Sequence, residues 1–462
     1  MVLNPFGVHG VKSLTTKSAN GTRKNGGKRF NGGEASKKIA FVTPLLYCYP
    51  LSIKTEMETT MTPVEKLLRM CAFRPVDIDQ FLDPKQTSWS RFDPETGYVP
   101  GSLVLKDGVD DSRSIYTYGP QGNRLCVNGA GQPCRINTYG DSFGQGQQVS
   151  DGETWQEQLA AHLGEPVRNF GAGGHGVYQF LLRARRVEVS ASGAEHVIFN
   201  IYDDDHVRSL DACRWIRTFP YAPEPPANKA IMLHGLPWAH VRLDRRAGRF
   251  TEQPSPAPTP DHLRRLCDPD TFHQTFKDDE IARLFSLQWT GADSAFDVRE
   301  FEELAEYLGL TVNLRSPETR RNDARLLRIA YGLRATEYIL DQARAFLASK
   351  GKRLMVLLCY GEGRIMDGIA GKPRFDQSLL DYLQRHQIPF ADSLASHVRD
   401  YQDFRITPQE YIDRFFINAK GAAVFGHYNP LANHFYAFWV KDRIIEWLDP
   451  KPRTYRSDGH GT

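Results

Sequence analysis

Ile136-Asn137-Thr138-Tyr139-Gly140-Asp141-Ser142-Phe143-Gly144-Gln145-Gly146-Gln147 is the stretch on which the reading of this chain turns. β-prone residues run into Gly140, then come Asp141, Ser142 and more glycine, and Trp155, Leu159 and Leu163 follow at helical spacing. That order predicts strand, tight turn, helix. A serine so placed stands at the carboxyl end of a strand beside a helix N-terminus. Backbone N–H groups point outward there and favour developing negative charge. A nucleophilic serine also needs a base. Far downstream, Gly426-His427-Tyr428-Asn429-Pro430 offers a histidine just before the last helix. Ser142 and His427 are therefore the starting pair, although Gly-Asp-Ser by itself is also an ordinary turn.

Working outward, strands are expected over residues 135–139, 166–169, 196–202, 353–360 and 389–391. Helices are expected over 154–163, 178–187, 321–350, 375–386 and 430–448, the last with Phe435, Phe438, Trp439, Ile444 and Trp447 on its core face. His196-Val197-Ile198-Phe199-Asn200-Ile201-Tyr202 is a continuous apolar run of the kind buried on both faces of a sheet. Alternating strands and helices predict an α/β domain, with a parallel sheet between helix layers.

Two regions break that alternation. From about 205 to 316 prolines crowd the chain, Pro254, Pro256, Pro258 and Pro260 among them. A small hairpin turned at Arg246-Ala247 and helices over 279–287 and 298–308 are expected inside it. The region reads as a cap over the carboxyl edge of the sheet, where open α/β folds bind ligands, or else as a separate α-rich domain. Ahead of the core, Thr62-Pro63-Val64-Glu65 has a capped helix start. Strands over 115–118 and 123–127, joined by Gly119-Pro120-Gln121-Gly122, would belong to a β appendage. The expected organisation is a disordered basic leader (1–60), a helix and β appendage (61–134), the first half of the core (135–205), an insertion or cap (206–316), the second half of the core (317–449) and a disordered tail (450–462).

Charge is nearly balanced at +3 over 462 residues, and the surplus sits in the first stretch, up to about residue 40, where Lys12, Lys17, Arg23, Lys24, Lys28, Arg29, Lys37 and Lys38 face only Glu34. That is no footprint for nucleic acid. Seven irregularly spaced cysteines form neither a metal-ligand spacing nor a disulfide framework. Cys126 and Cys134 are read as free thiols, with a bridge across a hairpin as the alternative. No run approaches the ~20 apolar residues that a membrane-spanning helix needs. Residues 39–53 contain Pro44 and Pro50 and make a poor signal peptide, which leans the compartment towards the cytoplasm.

Three ordered blocks resemble the SGNH (GDSL-type) hydrolases over roughly residues 92–448. Tyr139-Gly140-Asp141-Ser142-Phe143 resembles their first block, Arg168-Asn169-Phe170-Gly171-Ala172-Gly173-Gly174-His175-Gly176 their second, and His427-Tyr428-Asn429-Pro430 their last. The resemblance implies a flavodoxin-like three-layer fold and a serine esterase that needs no cofactor or metal. Its substrate would be a small-molecule or carbohydrate ester, O-acetyl groups included. Ser142 would be the nucleophile and His427 the base. The N–H groups of Ser142 and Gly174 would form the oxyanion hole, with Asp141 fixing the turn and Asn169 opening the second block. An O-acyltransferase using the same pair, or a non-catalytic ligand-binding protein, are the alternatives.

Two departures bear on that chemistry. The family's oxyanion asparagine would follow the strand at 196–202, where this chain has Asp203-Asp204-Asp205-His206. Asp205 is the positional match, with Asp204 beside it. An ionised carboxylate only accepts hydrogen bonds, so a protonated Asp205, Asn200 or another donor would have to serve. The same four residues could instead ligate a divalent cation. The acid that orients the base is also missing, because Val424 and Phe425 occupy its usual place. A Ser–His dyad, a backbone carbonyl, or Asp205, Asp392 or Asp413 would have to fill the role.

Overall fold

The computed structural model describes residues 61–221, 235–291, 297–417 and 426–455. The leader, Val424, Phe425 and the end of the tail lie outside them. Thr62 caps the first helix, Pro63–Met70, its hydroxyl accepting the Glu65 N–H at 3.2 Å. A second helix, Pro75–Leu82, leads into two antiparallel hairpins. In the first, β1 (Ser90–Asp93) pairs with β2 (Gly97–Pro100); in the second, β3 (Leu103–Lys106) pairs with β4 (Arg113–Tyr116). The expected hairpin across Gly119-Pro120-Gln121-Gly122 is reduced to one bridge, between Tyr118 and Arg124. The reason lies in Arg124, whose N–H goes to the Asn169 carbonyl (2.7 Å) while its side chain turns inward.

The core follows. β5 (Ile136–Gly140), β6 (Arg168–Asn169) and β7 (His196–Tyr202) come first in the chain. After them lies a hairpin of β8 (His240–Asp244) and β9 (Arg249–Gln253), and the core resumes with β10 (Arg353–Cys359) and β11 (Phe390–Asp392). The five core strands form one parallel sheet in the order β11-β10-β7-β5-β6. In order of sequence this is 2-1-3-4-5, so the winding reverses between β5 and β7, and at such a point a crevice opens beyond the carboxyl ends. β7 is buried along its whole length. Phe199 meets Phe180 of the helix Val177–Val187 on one face, and Asn200 meets Tyr436 of the helix Pro430–Trp447 on the other. Both faces are thus covered, as the apolar run predicts.

The last helix keeps Ile444 and Trp447 of the expected face in the core, but Phe438 departs from it. Ala432, Tyr436, Val440, Ile444 and Trp447 are buried, whereas Phe438 is 53 % exposed. Phe435 and Trp439 pack sideways on Phe415 of the neighbouring helix, Pro408–Phe415. A neighbouring helix thus draws the aromatic stripe away from the sheet.

The proline-rich region also holds more structure than expected. Pro260 and Pro269 each open a helix, Pro260–Arg265 and Pro269–Phe276, capped by Thr259 and Asp268. There the missing N–H of proline costs nothing. These helices share a second hydrophobic core with the N-terminal segment. Leu68, Phe73, Trp89, Tyr98 and Tyr116 pack with Ile216, Trp238, Leu263, Phe272 and Phe285. Phe73 also donates its N–H to the Leu266 carbonyl (3.1 Å). Appendage and insertion are two halves of one lobe. Among the described residues no helix is long and apolar enough to cross a membrane.

Candidate active site

Gly140 ends β5 where the backbone must pass close to its neighbours, since a Cβ there would lie 2.8 Å from Gly144 Cα and 3.0 Å from Asn200 O. Asp141 then caps a single helical turn, Ser142–Gln145, its Oδ1 accepting the Phe143 N–H at 2.8 Å. The Ser142 side chain tops this turn, 6 % exposed, and its hydroxyl donates to Asp141 Oδ2 over 3.3 Å. Asp141 is therefore a turn-fixing residue that also accepts a hydrogen bond from the Ser142 hydroxyl.

The loop after β6 is pressed against that turn. A Cβ on Gly171 would lie 2.2 Å from Gln145 N. Asn169 binds both sides, donating from Nδ2 to the Gln145 carbonyl (3.1 Å) and accepting the Gly171 N–H (2.8 Å). Gln145 Oε1 accepts the Gly173 N–H (2.7 Å). Gly174 follows at φ +83°, a conformation reserved for glycine. The N–H groups of Ser142 and Gly174 make no hydrogen bond to the described residues. His175, by contrast, is wholly buried, packed against Tyr98 and edge-on to Trp238, with Nε2 at 3.1 Å from the Tyr98 carbonyl. Burial pushes its pKa well below the ordinary value, so it packs as a neutral ring.

The four residues after β7 are largely committed to protein partners. Asp205 is fully buried, with Oδ2 accepting the Tyr202 N–H (2.8 Å) and Oδ1 the Arg208 guanidinium (2.7 Å). Burial, then the nearby Asp141 charge, raise its pKa well above the carboxylate range. The same Arg208 nitrogen reaches Asp141 Oδ2 at 3.0 Å, so one guanidinium joins both carboxylates beneath Ser142. Asp204 pairs with Arg208 (2.9 Å) and Arg217 (3.2 Å). Burial opposes its ionisation, but Arg217 and Arg208 outweigh it and hold the carboxylate charged. His206 Nδ1 lies 2.9 Å from Thr336 Oγ1 in the core. Asp203 keeps a longer contact with Arg364, 3.6 Å, and burial raises its pKa to about 7. Asn200 lies under Gly144, where its Oδ1 accepts the Tyr436 hydroxyl.

His427 comes to the same end of the sheet. Its ring centroid is 5.1 Å from that of Phe143, the residue after Ser142, and the side chain is almost buried at 6 % exposure. Its Nδ1 lies 2.8 Å from Gln148 Oε1, and its main-chain N–H donates to that same oxygen at 2.8 Å. The acids considered for this role have other engagements. Asp392 binds Arg374 (2.5 Å) and caps a helix through the Leu394 N–H (3.1 Å), and Asp413 accepts from Gln409 (2.9 Å).

Gln148 was not a candidate from sequence. It lies six residues beyond Ser142 in a glycine- and glutamine-rich loop, and nothing in its neighbours marks it. What holds that loop is Arg124, 1 % exposed, which donates to the carbonyls of Gln145 (2.8 Å), Gly146 (2.6 Å), Val149 and Ile115 (3.1 Å) and pairs with Asp151 (2.8 Å). Cys126 and Cys134 are both free thiols. The chain matches no protein-family model and no curated protein.

Proposed function

We propose that the chain is an SGNH-type serine esterase with a flavodoxin-like core, in which Ser142 and His427 carry acyl transfer. The observation that supports this most is that His427 packs on Phe143, the residue that follows the serine, at the carboxyl end of β5. In this reading Ser142 Oγ attacks the ester carbonyl while His427 takes its proton. The carbonyl oxygen becomes an oxyanion held by the N–H groups of Ser142 and Gly174. Collapse breaks the ester C–O bond, and His427 returns the proton to the leaving alcohol. Water, deprotonated by His427, then cleaves the acyl-enzyme and releases the acid. A single oxyanion donor is worth roughly 10²–10³ in rate. With Asp205 accepting at both oxygens, the hole has two backbone donors and no asparagine, so a modest turnover is expected. Small-molecule or carbohydrate esters, acetyl esters first, are the substrate class to screen.

The test is labelling with a fluorophosphonate probe, followed by peptide mapping, on wild type, Ser142→Ala and His427→Ala. Adduct on Ser142 that vanishes in Ser142→Ala and falls at least tenfold in His427→Ala is the expected result. Folded wild type that stays unlabelled would overturn the enzyme reading in favour of a ligand-binding protein.

A further inference from the structure

We infer that Gln148 is the positioning residue of the base: its side-chain oxygen holds His427 as the Nδ1–H tautomer and so leaves Nε2 as the proton acceptor. The inference rests on the Ser142–His427 reading, but its evidence is separate. Gln148 Oε1 stands 2.8 Å from both the main-chain N–H and Nδ1 of His427. A main-chain N–H can only donate, so the Gln148 atom facing it must be the oxygen. That same oxygen faces Nδ1, which must then carry a hydrogen. The tautomer follows from hydrogen-bonding capacity alone. Elsewhere, replacing a triad aspartate by asparagine costs about 10⁴ because the amide supports the wrong tautomer. Here the main-chain N–H keeps the amide from turning its NH₂ towards the ring.

The surroundings show that Gln148 is built into place. It is 4 % exposed and held at φ +71°, an unusual conformation for a residue with a side chain. Its own N–H donates to the Tyr116 hydroxyl (2.6 Å), which in turn donates to Asp107 (2.8 Å). Arg124 ties the carbonyls on either side of it, at Gly146 and Val149. β4 and Arg124 therefore shape the loop that positions the base. An amide orients imidazole but cannot offset the charge of imidazolium as a carboxylate does. Ionisable groups around this site include Arg124 with Asp151 and Tyr116 with Asp107 against the Gln148 loop, Asp141 with Arg208 beside Ser142, Glu362 close to Gly426, and Asp413 near Glu362. All of them are common to wild type and to any variant at 148, so a comparison isolates that position.

The experiment is long-range ¹H–¹⁵N NMR of the full chain labelled on histidine, across pH, for wild type, Gln148→Ala and Gln148→Glu. Wild type is expected to show His427 with hydrogen on Nδ1 and a bare Nε2. Gln148→Ala should give a mixture of tautomers. Gln148→Glu should keep the wild-type tautomer and raise the midpoint of imidazolium formation by ~1–3 pH units. Hydrogen on Nε2 in wild type, an unchanged single tautomer in folded Gln148→Ala, or an unmoved midpoint in Gln148→Glu would each overturn the inference. If the alanine variant fails to fold, the other two samples still decide. Fluorophosphonate labelling of the same wild-type sample separates the two ideas: the expected tautomer without an adduct sinks the esterase and spares the lock, and an adduct with the wrong tautomer does the reverse.

Discussion

Replacing Arg124 by methionine should loosen the loop that carries Gln148 while leaving the sheet intact. The guanidinium is 1 % exposed, pairs with Asp151 and donates to four carbonyls, three of them in residues 145–149. Methionine keeps much of the apolar stem and its packing against Tyr116. What is lost is the charge and the hydrogen bonds to the four carbonyls. Breaking a buried ion pair from one side costs about 3–5 kcal/mol. Asp151 retains the Thr117 N–H at 3.0 Å, which favours the lower end of that range. A loss of about 3 kcal/mol corresponds to a factor of ~10² in local opening. Hydrogen exchange read by mass spectrometry should therefore show residues 145–151 exchanging ~10²-fold faster, with β7 and β10 protected as before. Labelling of Ser142 should fall with it. A change in exchange below fivefold would refute the idea that this one arginine holds the loop.

Three further outcomes are expected. Asp203 is raised to about 7 by burial, so the folded chain holds a proton that the unfolded chain has released above ~3.9; its stabilising contribution is complete below pH ~4 and is lost as pH rises through 7. Asp203→Asn should flatten that slope in thermal melts at pH 4.5, 6 and 8 and gain on the order of 4 kcal/mol over wild type at pH 8, whereas an unchanged slope would contradict the assignment. Gly171→Ala must push back Gln145 N and Gly144 C, at 2.2 and 2.4 Å from the added Cβ; a cost of ~2–3 kcal/mol and at least tenfold slower labelling of Ser142 are expected, and a variant that labels at the wild-type rate would show that the turn is not set by this contact. On the last helix, Phe438→Ser should stay within ~0.5 kcal/mol of wild type and Ile444→Ala should lose ~2–5 kcal/mol in urea titrations, the reverse order contradicting the observed core face.

The parts of the fold that could be read in the sequence are those where one signal acts alone. The run from His196 to Tyr202 is apolar without interruption because both faces of β7 are covered, and it formed as read. Thr62 and Pro63 start a helix through local chemistry that needs no tertiary help. Phe438 misled because helical periodicity says which residues share a side, not which neighbour that side will meet. Pro260 misled because proline at the first turn of a helix looks, in composition, like proline in a loop. Within the site, Ser142 and His427 stand in recognisable company. Gln148 does not, since its role comes from one oxygen meeting a histidine 279 positions away in the chain. Asp205 could be placed by position, but its partners, the Tyr202 N–H and Arg208, are a matter of folding geometry.

The shared core of the smaller lobe has a consequence for synthesis. Leu68 and Phe73 leave the ribosome early, yet their partners Leu263, Phe272 and Phe285 are made roughly 200 residues later. At ~5–20 residues per second, the first two helices wait some 10–40 s with their apolar sides uncovered, while β5, β6 and β7 emerge and can begin to pair. The nascent chain should therefore depend on chaperones most while synthesis runs from about residue 80 to about residue 290, and the helices Pro63–Met70 and Pro75–Leu82 should be among the last parts to become resistant to protease.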